Sequence, residues 1–147
     1  MAIGNEEGVK TINISSNSYS SSILKMNDIH IKGAPESAYI GSEEIYINKL
    51  DNISENFLKN KDNIFIKIDV QGYELQVFEG ANKILPKIKG MQVELSLVPL
   101  YESQLLFLDM LDYITNLGFE LWDISPGFRD RQSGKLLQFD GIFFRPM

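Results

Sequence analysis

Cysteine is absent from the 147 residues. Its absence removes disulfides, thiolate nucleophiles and thiolate-bound metals together. It also suits a reducing compartment, and a cytoplasmic location is the expectation. A single histidine, His30, excludes any site that needs two imidazoles, and taken alone it reads as an ordinary surface residue. Basic residues are scarce, 14 against 20 acidic ones for a net charge of −6. Nucleic acid is therefore not an expected partner, because phosphate contacts need a basic face. No apolar run approaches the ~18 residues of a membrane span, and the first seven residues lack the basic and apolar regions of a signal peptide. No membrane partner is expected. Nor does any strand-like segment lead into Gly-x-Gly-x-x-Gly, the turn that cradles dinucleotide phosphates.

What is present is ordinary for a globular chain, with 44% hydrophobic and 23% charged residues, and the length fits one domain over residues 1–147. Two regions differ. Residues 1–63 are polar, with short strand-like runs at 9–14 and 44–48, a serine-rich loop at 15–22 and a short helix around 55–59. Residues 64–147 have a βαβαββ pattern. Ile64–Val70 is almost wholly apolar and β-branched, which predicts a strand buried on both faces, as in a parallel sheet. Tyr73, Val77, Ala81, Ile84 and Leu85 recur at helical spacing, predicting a helix over 73–85 that bends near Gly80 and stops at Pro86. A second strand is predicted over 91–97, a second helix over 103–117 capped by Gly118, a third strand over 119–124 and a last one over 137–144. About a dozen residues without helical periodicity join the last two strands, too short a link for a helical crossover, so an antiparallel pairing is expected. The fold class is α/β, mostly parallel, with an antiparallel final strand.

Several polar residues fall where chemistry is done in such folds. Asp69 ends the apolar strand, and ligands in open α/β sheets sit beyond the carboxyl ends of the strands. Its carboxylate suits the orienting of an acceptor or the taking of its proton, although Asp is also a favoured helix N-cap. Glu94 interrupts the second strand, where a charge is costly unless paired or facing a polar cleft. Glu74 lies in the first turn of the helix after Asp69, where the helix dipole alone accounts for it. Tyr101 and Glu102 reach the same rim of the sheet. Asp140 alternates with Phe139 and Phe143, which suits a solvated face, and Arg129 and Arg131 lie in a polar loop, where they suit an anionic acceptor although solvent alone accounts for them.

The ordered set Ile66-Lys-Ile-Asp-Val-Gln-Gly-Tyr-Glu74, Glu79-Gly-Ala81 and Val93-Glu94 resembles the core of FkbM-type methyltransferases. Ala2-Ile-Gly-Asn-Glu-Glu-Gly8, Leu50-Asp51, Asn116-Leu-Gly-Phe119 and Phe139–Phe144 extend the resemblance outward over nearly the whole chain. It implies a Rossmann-like class I methyltransferase sheet and S-adenosyl-L-methionine as cofactor. The implied reaction is methylation of a hydroxyl on a small-molecule or glycan acceptor, often a sugar or secondary metabolite. Within it, Asp69 and Glu94 become the catalytic candidates, and Gln71, Glu74 and Tyr101 the acceptor-binding ones. Gly4 and Asn5 become the residues nearest the cofactor. Gln71 stands where the family usually has Glu. An amide keeps the hydrogen bonding without the charge, and no metal site is expected. By the family's map the chain starts at strand three and is N-terminally truncated, so most of the cofactor site belongs upstream. The rival expectation is therefore a non-catalytic or incomplete fragment that needs a missing N-terminal segment or an oligomer partner. In such a fragment the strand 64–70 has a bare edge and the strand near residue 9 has no sheet to join.

Overall fold

The chain forms two separate sheets, described by a computed structural model over residues 1–58 and 63–146. The smaller sheet joins β1 (Ala2–Gly4), β2 (Gly8–Ser15) and β3 (Tyr39–Lys49) in the order β1-β3-β2. β2 and β3 pair antiparallel along nearly their full length, from Gly8 opposite Ile47 to Ser15 opposite Tyr39. The strand near residue 9 thus has a sheet of its own, contrary to the expectation that it would find none. Backbone pairing supplied locally by β3 does the work that a larger sheet was expected to do.

The larger sheet has the order β4-β5-β7-β6, built from β4 (Ile64–Ile68), β5 (Ile88–Ser96), β6 (Glu120–Pro126) and β7 (Gln138–Phe144). β4 and β5 are parallel, whereas β7 runs antiparallel to both β5 and β6. The antiparallel final strand is as expected. The α/β class is also as expected: β4, β5 and β6 run in one direction, and β7, inserted between β5 and β6, makes the sheet's pairings mixed.

Helix α3 (Glu74–Glu79) covers only the first part of the segment expected to be helical through Leu85. It stops at Gly80 because β1 crosses there: a Cβ at Gly80 would lie 1.9 Å from the Gly4 carbonyl oxygen. The next turn is held by Asp51, which is only 8% exposed and whose carboxylate accepts the backbone N–H groups of Lys83 and Ile84. A short 3₁₀ turn, Leu85–Lys87, then carries Pro86 into β5. The helix expected around 55–59 lies earlier, as α2 (Leu50–Ser54), and Lys59 falls outside the described residues. Helix α4 (Phe107–Asn116) ends as predicted, with Gly118 in the left-handed region at φ 85.

The main core lies between the larger sheet and helices α3 and α4. Ile68, Met91, Val93, Leu95, Phe139 and Phe143 pack there against Val77, Phe78, Met110 and Ile114. β4 is not buried on both faces: Ile64 and Ile68 are covered, but Phe65 is 51% exposed and Lys67 faces solvent. Phe65, Phe144 and Trp122 form a row across that open face, with ring centroids 5.9 and 4.9 Å apart. Gly90 keeps the row close, since a Cβ there would meet the Phe144 ring at 2.5 Å. β4 is also the sheet's edge, paired on one side only among the described residues.

A second, smaller cluster of Met26, Leu100, Tyr101 and Leu137 ties the segment after β2 to the rim of the sheet. His30, on the short helix α1 (Asp28–Gly33), belongs to this cluster and not to the surface. It is 2% exposed, with its ring edge-on to Tyr101 at 5.2 Å and tilted against Phe128 at the same distance. Contacts from two distant loops bury it, and no local pattern announces them.

Candidate functional site

The register of β4 and β5 places Ile68 beside Val93, so Asp69 and Glu94 emerge side by side at the carboxyl end of the parallel pair. Glu94 lies opposite Asp140 of β7, and Ser96 opposite Gln138. Because Val93 and Leu95 point into the core, alternation turns Glu94, Ser96, Gln138 and Asp140 to the other face. Asp140 therefore stands beside Glu94 as a second carboxylate, not on an unrelated solvated surface.

After β4 the chain turns sharply. Gln71 takes the left-handed conformation with φ 54, followed by Gly72 at φ 95. A non-glycine residue in this region stores roughly 1 kcal/mol or more of strain. Two hydroxyls hold it there: Ser22 Oγ donates to the Gln71 carbonyl at 2.7 Å, and Tyr101 Oη donates to Gln71 Oε1 at 2.8 Å. Glu74 Oε1 accepts the N–H groups of Val70 and Gly72 and so fastens the turn from beneath. Asp69 does not cap α3; the N-cap position is Tyr73. Its carboxylate instead accepts Gln71 Nε2 at 2.9 Å and Lys67 Nζ at 3.0 Å.

These contacts close into a ring. The Gln71 amide donates to Glu94 Oε2 at 2.9 Å, and Gln138 Nε2 donates to the same oxygen at 2.9 Å. Gln138 Nε2 also reaches Ser96 Oγ at 3.2 Å, and Gln104 Nε2 donates to that hydroxyl at 2.7 Å. Gln104 Oε1 in turn accepts the backbone N–H of Tyr101, whose hydroxyl returns to Gln71. The ring fixes the sense of each amide: because Gln71 Oε1 takes the tyrosine proton, its N–H groups must face the carboxylates.

Burial pushes the Glu94 carboxyl up to about 8, and repulsion from Asp69, Glu74 and Asp140 adds to the shift. Burial raises Glu74 as well, to about 7, against the backbone N–H groups it accepts. The Tyr101 hydroxyl is also driven upward by burial.

Glu94, Gln71 and Gln138 line a cavity of about 280 Å³ together with Tyr19, Phe128, Arg129 and Arg131. Glu94 Oε2 is occupied by the two amides, which leaves Oε1 for an incoming group. Of the residues singled out from sequence, Glu94, Gln71, Arg129 and Arg131 line this cavity. Asp69 lies next to it on Gln71, and Tyr101 and Glu74 are buried behind the wall, 0% and 2% exposed. The structure does not bring Gly4 and Asn5 to it. Gly4 is walled in by Ile47 and Tyr73, and the Asn5 amide is committed to Glu79 Oε2 at 2.8 Å. Gln138 was not among the sequence candidates, though its two-residue offset from Asp140 put both on one face of the strand. Among the described residues no group of three or more acidic or imidazole side chains converges as metal ligands do, and no helix is long and apolar enough to cross a membrane.

Compared with known proteins, the chain matches one family model over residues 1–121, described as the methyltransferase FkbM domain. No curated protein and no solved structure gives a significant match. The matched span takes in the turn at Asp69–Glu74, Glu94 and Tyr101, and ends before Arg129 and Gln138.

Proposed function

The chain belongs to the FkbM methyltransferase family, and on that premise we propose that it methylates a hydroxyl of a small-molecule or glycan acceptor. The family implies S-adenosyl-L-methionine as the methyl donor. Gly4 and Asn5 lie away from the cavity at Glu94, Gly4 against Ile47 and Tyr73 and the Asn5 amide on Glu79 at the exposed surface. The residues gathered at the cavity serve the acceptor.

One observation carries this reading. Glu94 lines a cavity with one oxygen clamped by two amides and the other open, and its proton affinity is raised toward neutrality. A base works best when its pKa lies near the working pH. Glu94 takes the proton of the acceptor hydroxyl as that oxygen becomes nucleophilic. Asp69 orients a neighbouring acceptor hydroxyl at the rim, Gln71 contacts the acceptor directly, and Tyr101 and Glu74 hold Gln71 in its strained turn. The test is transfer of labelled methyl from S-adenosyl-L-methionine to a panel of polyols, comparing the wild type with Glu94→Gln. A loss of roughly 100-fold or more in kcat is expected for a general base. Equal rates would remove Glu94 from that role.

A second reading draws on the one-sided pairing of β4 among the described residues. In that reading residues 1–147 hold the donor weakly by themselves and act only with a partner that completes the sheet. Titration calorimetry decides it, and micromolar binding of S-adenosyl-L-methionine by residues 1–147 alone would exclude it.

A further inference from the structure

The chain has three arginines, Arg129, Arg131 and Arg145, and they divide by task. Arg145 is structural: its guanidinium donates to the carbonyls of Leu85, Ile88 and Leu117 and lies 4.2 Å over the Phe119 ring. The other two line the cavity that holds Glu94. In a protein with net charge −6, both non-structural arginines thus line a single cavity.

The loop that carries them is built, not loose. Phe128 accepts backbone N–H groups from Leu137 and Gln138, and Arg129 pairs with Leu136 in an isolated bridge. Asp130 accepts from Ser133, and Arg129 Nη1 donates to the Gly134 carbonyl at 3.1 Å. Arg131 is ion-paired with Glu36, another residue of the cavity wall. Among the described residues no carboxylate pairs with Arg129. One arginine of the cavity lining is thus neutralised and one, Arg129, is not.

The same cavity is lined by the two amides and the carboxyl of Glu94, groups that recognise hydroxyls. The rings of Tyr19 and Phe128 line it as well. A volume of about 280 Å³ holds something of monosaccharide size, at the small end of ligand pockets. Guanidinium binds carboxylate and phosphate more tightly than any neutral group. We propose that the acceptor is a small polyhydroxylated anion, a sugar bearing a carboxylate or phosphate. Its anionic group lies against Arg129, and the hydroxyl to be modified lies against Glu94. This rests on reading the cavity as the acceptor site.

The test uses the full chain and three probes: methyl glucoside, methyl glucuronide and glucose 6-phosphate. Affinities are measured by ligand-observed NMR at low and high salt, for the wild type, Arg129→Gln and Glu36→Gln. One or both charged probes should bind roughly tenfold or more tightly than methyl glucoside at low salt, as a charge-assisted pair implies. Which of the two does so separates carboxylate from phosphate. The preference should vanish in Arg129→Gln and grow in Glu36→Gln, where Arg131 is released. No preference, no binding of any probe, or a preference unmoved by both variants would overturn the proposal. Methyl transfer is scored separately. A preference that follows Arg129 without any transfer sinks the transferase reading alone. Equal methylation of neutral and charged sugars sinks this inference alone.

Discussion

Gln71 donates its side-chain amide to Glu94 at 2.9 Å from a backbone held at φ 54. A residue that would relax if moved is kept in place by what it does for a carboxylate on the next strand. Replacing Gln71 with Leu removes the donor to Glu94 and Asp69 and leaves the Tyr101 hydroxyl only the Ser20 carbonyl at 3.2 Å. Methyl transfer should fall at least tenfold, because a donor aimed at a buried charged group is worth ~1.5–3 kcal/mol. Tyr101→Phe should give a smaller loss, since the amide is then free to turn but not absent. The ratio of the two effects, read in kcat/KM, checks the order of the ring.

The pH dependence of activity should carry the signature of Glu94. With its carboxyl raised to about 8, transfer should rise with pH along a limb of that midpoint, and Glu94→Gln should erase the limb. Stability runs the other way. A carboxyl whose folded pKa exceeds its unfolded value contributes fully at low pH, and the contribution is lost as pH rises from about 4.5 to about 8. Glu94→Gln should therefore lose less stability than the wild type over that window in urea titrations.

His30 predicts an opposite trend. Burial lowers it from 6.5 to about 4, so the unfolded chain takes up its proton first. Its contribution is complete above about pH 6.5 and is lost as pH falls toward 4. His30→Phe keeps the ring between Tyr101 and Phe128 without the proton. Its unfolding free energy should fall less than the wild type's between neutral pH and the lower end of that window.

The backbone crossing of β1 over α3 can be tested at a single atom. Gly80→Ala would put a methyl group 1.9 Å from the Gly4 carbonyl oxygen, and a loss of about 3 kcal/mol is expected from overpacking against backbone. Gly41→Ala, where nothing lies within 4 Å, is the matched control and should change little. Urea denaturation of both variants decides the point.

Asp51 gives a prediction of the same kind for a polar group. Its carboxylate accepts two successive N–H groups, those of Lys83 and Ile84. Asp51→Ala leaves both donors buried or half-buried without a partner, at a cost of about 3 kcal/mol, and Asp51→Asn should recover part of it. Thermal unfolding of the pair gives the measurement.

The alternation of strand and helix after residue 63 was legible because apolar residues recur there with clean periods, and because Pro86 and Gly118 mark the ends. Helix α3 was overread because Ala81, Ile84 and Leu85 keep helical spacing while lying in a turn that Asp51 organises from elsewhere. The β2–β3 sheet was hidden by β3 itself: Gly41 to Glu44 is polar and exposed, with no buried face to betray its register. Asp69, Gln71 and Glu94 could be singled out because each breaks an apolar pattern or carries the family motif. Gln138 could not be, since its partner Glu94 lies 44 positions away and only the pairing of β5 with β7 joins them. Burial of His30 likewise depends on Tyr101 and Phe128, which reach it from distant loops.

Seizing one oxygen of Glu94 with two amides stops the carboxyl from spinning about its terminal carbon–carbon bond. A freely turning carboxylate would take a proton from whichever hydroxyl came near, from any direction. A pinned one offers its remaining lone pairs along fixed lines. For an acceptor ring with several similar hydroxyls, selection then becomes a matter of angle more than of affinity. Regiochemistry would be written in the torsion of a single side chain, and loosening either amide should scatter the methyl group over neighbouring positions before it slows the reaction.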